Sequence, residues 1–128
     1  MFVATKPSDS VDDEKLGEIK PYIPAKNLVV SRDPSIRNIL DNVADASIVH
    51  LACQAKQIPS DPMHSFFSVS DGSLEIVEMG KHLLPKARLA ILGSCDSALG
   101  DEELPNEVLD IGGAMQLAGF RSIVTTIW

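Results

Sequence analysis

The chain predicts an α/β fold built on a mostly parallel sheet. Three observations carry that prediction. β-rich apolar runs recur at residues 47–53, 88–93 and 121–128. Segments with helical periodicity lie between them, and strands alternating with helices imply parallel pairing through crossovers. The 128 residues suffice for one domain with one core.

Residues 1–26 are polar and punctuated by Pro7, Pro21 and Pro24. They read as a flexible leader or the remnant of a preceding region, with the folded domain expected over 27–128. Asn27 to Val30 reads as a short strand. Ser31 or Asp33 can then cap a helix with Pro34 in its first turn. Ile36, Ile39, Leu40 and Val43 give that helix one apolar face. Ser47 to Cys53 reads as a strand covered on both faces. Gln54 to Met63 is a loop containing Pro59 and Pro62. Ser65 to Val69 and Leu74 to Val77 flank Asp71-Gly72, a hairpin turn signal. Ile76 to Leu84 alternatively reads as a short helix before Pro85. Arg88 to Gly93 is a second buried strand.

Glu102 to Ala118 has the clearest helical pattern, with Leu104, Val108, Ile111, Met115 and Ala118 on one face. Pro105 suits its start and Gly119 its stop. Gly112 and Gly113 each cost about 1 kcal/mol in a helix interior, a cost that close packing against a strand explains. Arg121 to Trp128 is the third strand. The chain stops there, so the sheet is expected to be incomplete at its C-terminal side, as in a fragment of a larger domain.

The formal net charge of −7 argues against a nucleic-acid groove or an anionic membrane as partner, because both require basic patches. Asp9, Asp12, Asp13 and Glu14, and again Asp101, Glu102 and Glu103, read as solvated surface. No apolar stretch approaches the roughly 18 residues of a membrane span, and no signal-peptide core follows Met1. A cytoplasmic location is expected. Cys53 and Cys95 lie in or beside apolar runs, which fits a reduced compartment better than a disulfide framework. His50, His64 and His82 are scattered, without metal-ligand spacing, so neither metal nor cofactor is expected.

Chemistry enters at Leu92-Gly93-Ser94-Cys95-Asp96-Ser97-Ala98-Leu99-Gly100-Asp101. An apolar run ends in a small-residue turn that carries a thiol, at the carboxyl end of a strand where α/β proteins bind ligands. A thiol nucleophile needs a base or positive neighbour and donors for the oxyanion. The amides of the Gly93-Ser94-Cys95 turn are candidate donors. A cysteine at a strand end is by itself more often a buried structural residue.

Several motifs in order give the chain a family resemblance. They are residues 49–55 (Val-His-Leu-Ala-Cys-Gln-Ala), Asp71-Gly72-Ser73-Leu74, residues 90–101, Leu104-Pro105-Asn106-Glu107 and residues 118–128. Together, over roughly residues 27–128, they resemble the CHAT domain, a caspase-like domain often found behind tetratricopeptide repeats. The likeness is greatest to the version in large fungal repeat proteins. The resemblance implies a caspase-like three-layer sandwich and the chemistry of a cysteine peptidase.

The family pattern reads roughly His-Phe-Ala-Cys-His-Gly after the first strand. Its second histidine is the base, and the following glycine helps to form the oxyanion hole. Those positions match Gln54 and Ala55. The family's Ser-Ala-Cys-Gln-Thr turn carries the nucleophile, which matches Cys95, and Asp96 stands where the family usually has glutamine. Gln54 cannot accept a proton near neutral pH. Ala55 tolerates a positive φ less readily than glycine. Asp96 beside the thiol would raise its pKa. All three departures oppose thiolate chemistry.

The three histidines offer weak substitutes. His50 shares a strand face with Gln54 but lies roughly 13 Å back, at about 3.3 Å per residue, and reads as a core residue. His64 lies in the following loop, within conceivable reach. His82 reads as surface, and Cys53 as an inert core thiol. Asp71-Gly72 reads as a turn, and Phe120 and Trp128 as core. The expected function is therefore an inactive or impaired peptidase relative acting in regulation or protein interaction. Its expected partner is a protein or peptide, including a tetratricopeptide-repeat region of a parent protein. The alternatives are an active endopeptidase using Cys95 with a substitute base, and a nonfunctional fragment.

Overall fold

The computed structural model describes residues 1–5, 10–93 and 111–125. Five strands form one parallel sheet in the order β2-β1-β3-β7-β8. They are β1 (Phe2–Thr5), β2 (Val29–Arg32), β3 (Ile48–Ala52), β7 (Leu89–Leu92) and β8 (Ser122–Thr125). A second, antiparallel sheet joins β4 (Ala55–Lys56), β5 (Phe66–Val69) and β6 (Gly72–Glu75). The helices are α1 (Ser10–Ile19), α2 (Ile36–Val43), α3 (Ile76–Lys81) and α4 (Ile111–Leu117). The expected α/β class and parallel sheet are both present.

The crossovers decide the layers. The chain passes from β1 through α1 to β2 in one direction across the sheet. Every later crossover (β2 to β3, β3 to β7, β7 to β8) runs the other way. Right-handed crossovers in opposite directions put their helices on opposite faces. So α1 takes one face, and α2, α3 and α4 take the other. Burial agrees: Ile39, Val43, Ile76, Met79, Ala114 and Met115 cluster with Val49, Leu51, Ala90 and Leu92. Fully burying each large apolar side chain in that cluster stabilises by about 1.5–3 kcal/mol. Leu16 of α1 is buried outside that cluster.

The flexible leader is corrected. Residues 2–5 form the strand that separates β2 from β3, and all four are buried. Residues 10–19 supply the crossover helix α1. Four residues carry too little pattern to announce a strand; β1 exists through its partners on both sides.

The cap of α2 is also corrected. Ser35, rather than Ser31 or Asp33, caps the helix, its Oγ accepting from the Asn38 amide at 3.1 Å. Asp33 instead takes a positive φ of 52° between β2 and the helix. Asp71 does more than turn the hairpin. Its Oδ1 accepts from the Ile36 amide at 2.8 Å, and Ser70 N–H donates to the Pro34 carbonyl at 3.1 Å. The hairpin is thereby tied to the first turn of α2.

Both readings of residues 74–84 contribute, because β6 ends at Glu75 and α3 begins at Ile76. Gly119 ends α4 with φ 124°, a conformation that favours glycine. Phe120 is buried in the core. The first part of the helix expected over 102–118 lies outside the described residues, as does Trp128.

Candidate active site

The crossovers reverse direction beside β1, so the carboxyl ends of β1 and β3 form the crevice where α/β sheets bind ligands. Here β3 ends at Ala52 and leads through Cys53 and Gln54 into β4. The neighbouring strand β7 ends at Leu92, and Gly93 N–H extends the ladder by donating to the Leu51 carbonyl at 3.0 Å. The sheet thus brings the Gln54 segment and the approach to Cys95 to one end. Cys95, the expected nucleophile, lies outside the described residues, as do Asp96, Asp101 to Glu103 and Glu107.

Gln54 is exposed and Ala55 is buried. Both stood in an expected loop, yet Ala55 begins β4 and pairs with Phe67. The Gln54 carbonyl accepts from Ser68 N–H at 2.7 Å. Hydrogen-bonded and non-bonded pairs alternate in an antiparallel ladder. Gln54–Ser68 is a bonded pair, so Ala55–Phe67 is a non-bonded one. The Ala55 amide therefore points away from β5. The motif resemblance led to the expectation of an oxyanion donor at this position, and an amide pointing away from β5 is compatible with that task. Among the described residues only Asp33 combines a side chain with positive φ, so Ala55 sits here without strain.

Cys53 faces the helix-covered side, 2% exposed, with Sγ 3.9 Å from the Ala4 carbonyl. Its core environment matches the reading of an inert thiol.

His50 lies on β3 as expected, but it is not the fully buried core residue that the sequence suggested. It is half-buried and in register with Val3 and Ile91. Its side chain leans along the strand, and Nε2 lies 2.8 Å from where a β-carbon on Gly93 would stand. Only a glycine at 93 leaves that space to the imidazole. Gly93 precedes Cys95 by two residues in the sequence. The signal lay in strand order: His50 on β3 approaches Gly93 at the end of the neighbouring strand β7.

His64 occupies a 3-10 turn, Pro62–His64, at the far end of the β4–β5 ladder from Gln54. Its Nδ1 is 2.7 Å from Glu75 Oε2, and Nε2 is 3.7 Å from Asp61 Oδ2. Two carboxylates already engage this ring. His82 is exposed, as expected. Among the described residues no group of three or more His, Cys, Asp or Glu is arranged to hold a metal ion, and no helix is long and apolar enough to cross a membrane.

A parallel sheet between helices, with the approach to a thiol and its neighbour strand meeting at the carboxyl end, is the framework of the caspase-like proteins. The CHAT domain family model matches residues 2–128, and the chain belongs to that family, which is related to caspase-like cysteine peptidases. The match begins at residue 2 rather than at 27, in keeping with the central place of β1. No curated protein matches the chain.

Proposed function

We propose that this CHAT domain is a catalytically impaired relative of the cysteine peptidases that acts by binding a protein or peptide. The observation that carries this reading is Gln54. By the motif resemblance it matches the family's base position, and a carboxamide cannot take a proton near neutral pH. Removing one member of a cooperating pair costs several orders of magnitude in rate. A tetratricopeptide-repeat region of a parent protein is the partner class this reading favours, in a cytoplasmic setting. The direct test is incubation of the chain with a mixed peptide library, read by mass spectrometry against a Cys95→Ala control. Identical peptide profiles support the proposal. Cleavage present only with Cys95 overturns it.

One observation favours a second reading, an active endopeptidase with a substitute base. It is the His50 ring beside Gly93, two residues before the thiol. The neighbours in its row, Val3 and Ile91, carry no ionisable group. Under this reading His50→Ala abolishes cleavage and slows Cys95 alkylation at neutral pH. Under the first reading it changes neither.

A further inference from the structure

At the opposite end of the sheet, two arginines occupy adjacent strand positions. The register pairs Leu89 with Ser122, and Ser122 N–H donates to the Arg88 carbonyl at 2.8 Å. Arg88 and Arg121 therefore occupy neighbouring positions at the entries of β7 and β8, about 4.8 Å apart across the strands. Both are exposed. With Asp45, Ser47, Pro85 and Lys86 they line a cleft of about 350 Å³.

The charges in this cleft do not cancel. Lys86 Nζ donates to Asp45 Oδ1 at 2.8 Å, so that pair is neutral as a unit. Among the described residues, neither Arg88 nor Arg121 has an ion-pair partner. Like charges at adjacent strand positions repel. The acidic residues outnumber the basic ones, 18 to 11, yet none of the described acidic residues pairs with these two. An anion between them would remove the repulsion.

The geometry points to a binding site for a phosphate monoester between Arg88 and Arg121, with Ser47 at its wall. A phosphate monoester carries close to two negative charges at neutral pH, matching the two uncompensated guanidiniums. It also offers oxygens for paired N–H donors from both. A single carboxylate would satisfy only one of them. A second cleft, of about 370 Å³, shares Asp45 and Ser47 with the first and continues past Asn27 and Val29 to Lys26. That continuation has room for polypeptide on one side of a phosphorylated side chain.

Calorimetric titration of the full chain at fixed ionic strength tests the site. The probes are inorganic phosphate, a short capped Gly/Ala peptide bearing one phosphoserine, and the same peptide unphosphorylated. Saturable phosphate binding is expected, weakened at least about tenfold when Arg88→Ala and Arg121→Ala are combined. Tighter binding of the phosphopeptide identifies a phosphorylated protein segment as the occupant; equal binding identifies a free phosphate compound. Amide shifts confined to Ser47, Arg88 and Arg121 in the unaltered chain support the site without any variant. Absence of saturable phosphate binding overturns the site. So does undiminished binding in a folded double variant, or equal binding of the unphosphorylated peptide.

Discussion

The imidazole of His50 fills the space that a side chain on Gly93 would need, with Nε2 2.8 Å from the β-carbon position. Gly93 is not at positive φ, so an alanine there is opposed by the ring and not by the backbone. Gly93→Ala is expected to destabilise by about 1 kcal/mol, the low end of an overpacking cost, because the half-buried ring can shift. In a His50→Ala background most of that penalty should vanish. A double-mutant cycle by urea denaturation measures the coupling. An equal cost in both backgrounds would show that the two residues do not meet.

Under the proposed function, residue 54 is the base position, and Gln54 is exposed. Gln54→His is expected to speed alkylation of Cys95 at neutral pH and to lower the apparent pKa of the thiol, by supplying a cationic partner for the thiolate. The measurement is the rate with iodoacetamide across pH, in chains carrying Cys53→Ser. An unchanged profile would mean that residue 54 does not address the thiol.

Val3 is fully buried in the strand between β2 and β3. A carboxylate at that position would be taken out of water inside the sheet, with only the half-buried His50 in register beside it, a cost that a domain of this size does not tolerate. Val3→Asp is expected to abolish cooperative unfolding, followed by far-ultraviolet circular dichroism in urea. A stable variant would restore the leader reading of the first residues.

The strands that announced themselves did so by local means. β3, β7 and β8 are apolar runs bounded by breakers, and Asp71-Gly72 marks the β5–β6 turn. β1 and β4 were not legible, because Phe2–Thr5 and Ala55–Lys56 are too short to show alternation. Their identity comes from distant partners, Val49 and Val29 for Phe2, and Phe67 for Ala55. The site was half legible for the same reason. The end of β3 before Gln54 could be read from the apolar run, whereas the approach of His50 to Gly93 depends on β3 and β7 being neighbours. Asp71 likewise read only as a turn residue until the hairpin was seen beside α2.

The Asp45–Lys86 ion pair predicts a pH signature. The hydrogen bond and the charge of Lys86 hold the Asp45 carboxyl below its usual range. A depressed folded-state pKa contributes stability that is present above the unfolded value and lost as pH falls through the folded one. Asp45→Asn should therefore lower the melting temperature slightly at neutral pH. The difference should close as pH drops below about 4, the ordinary carboxylate pKa. The effect should shrink in high salt, because the pair is exposed. A gap that persists at low pH would assign the contribution to packing.

The central claim is that Cys95 has lost its activating partner at position 54. The measurement that bears on it most directly is the pH dependence of Cys95 alkylation in a folded Cys53→Ser chain, with an unfolded control. The account predicts an apparent pKa at or above the reference of about 8.5. A value well below that reference would contradict it, and would mean that a group in this fold still activates the thiol.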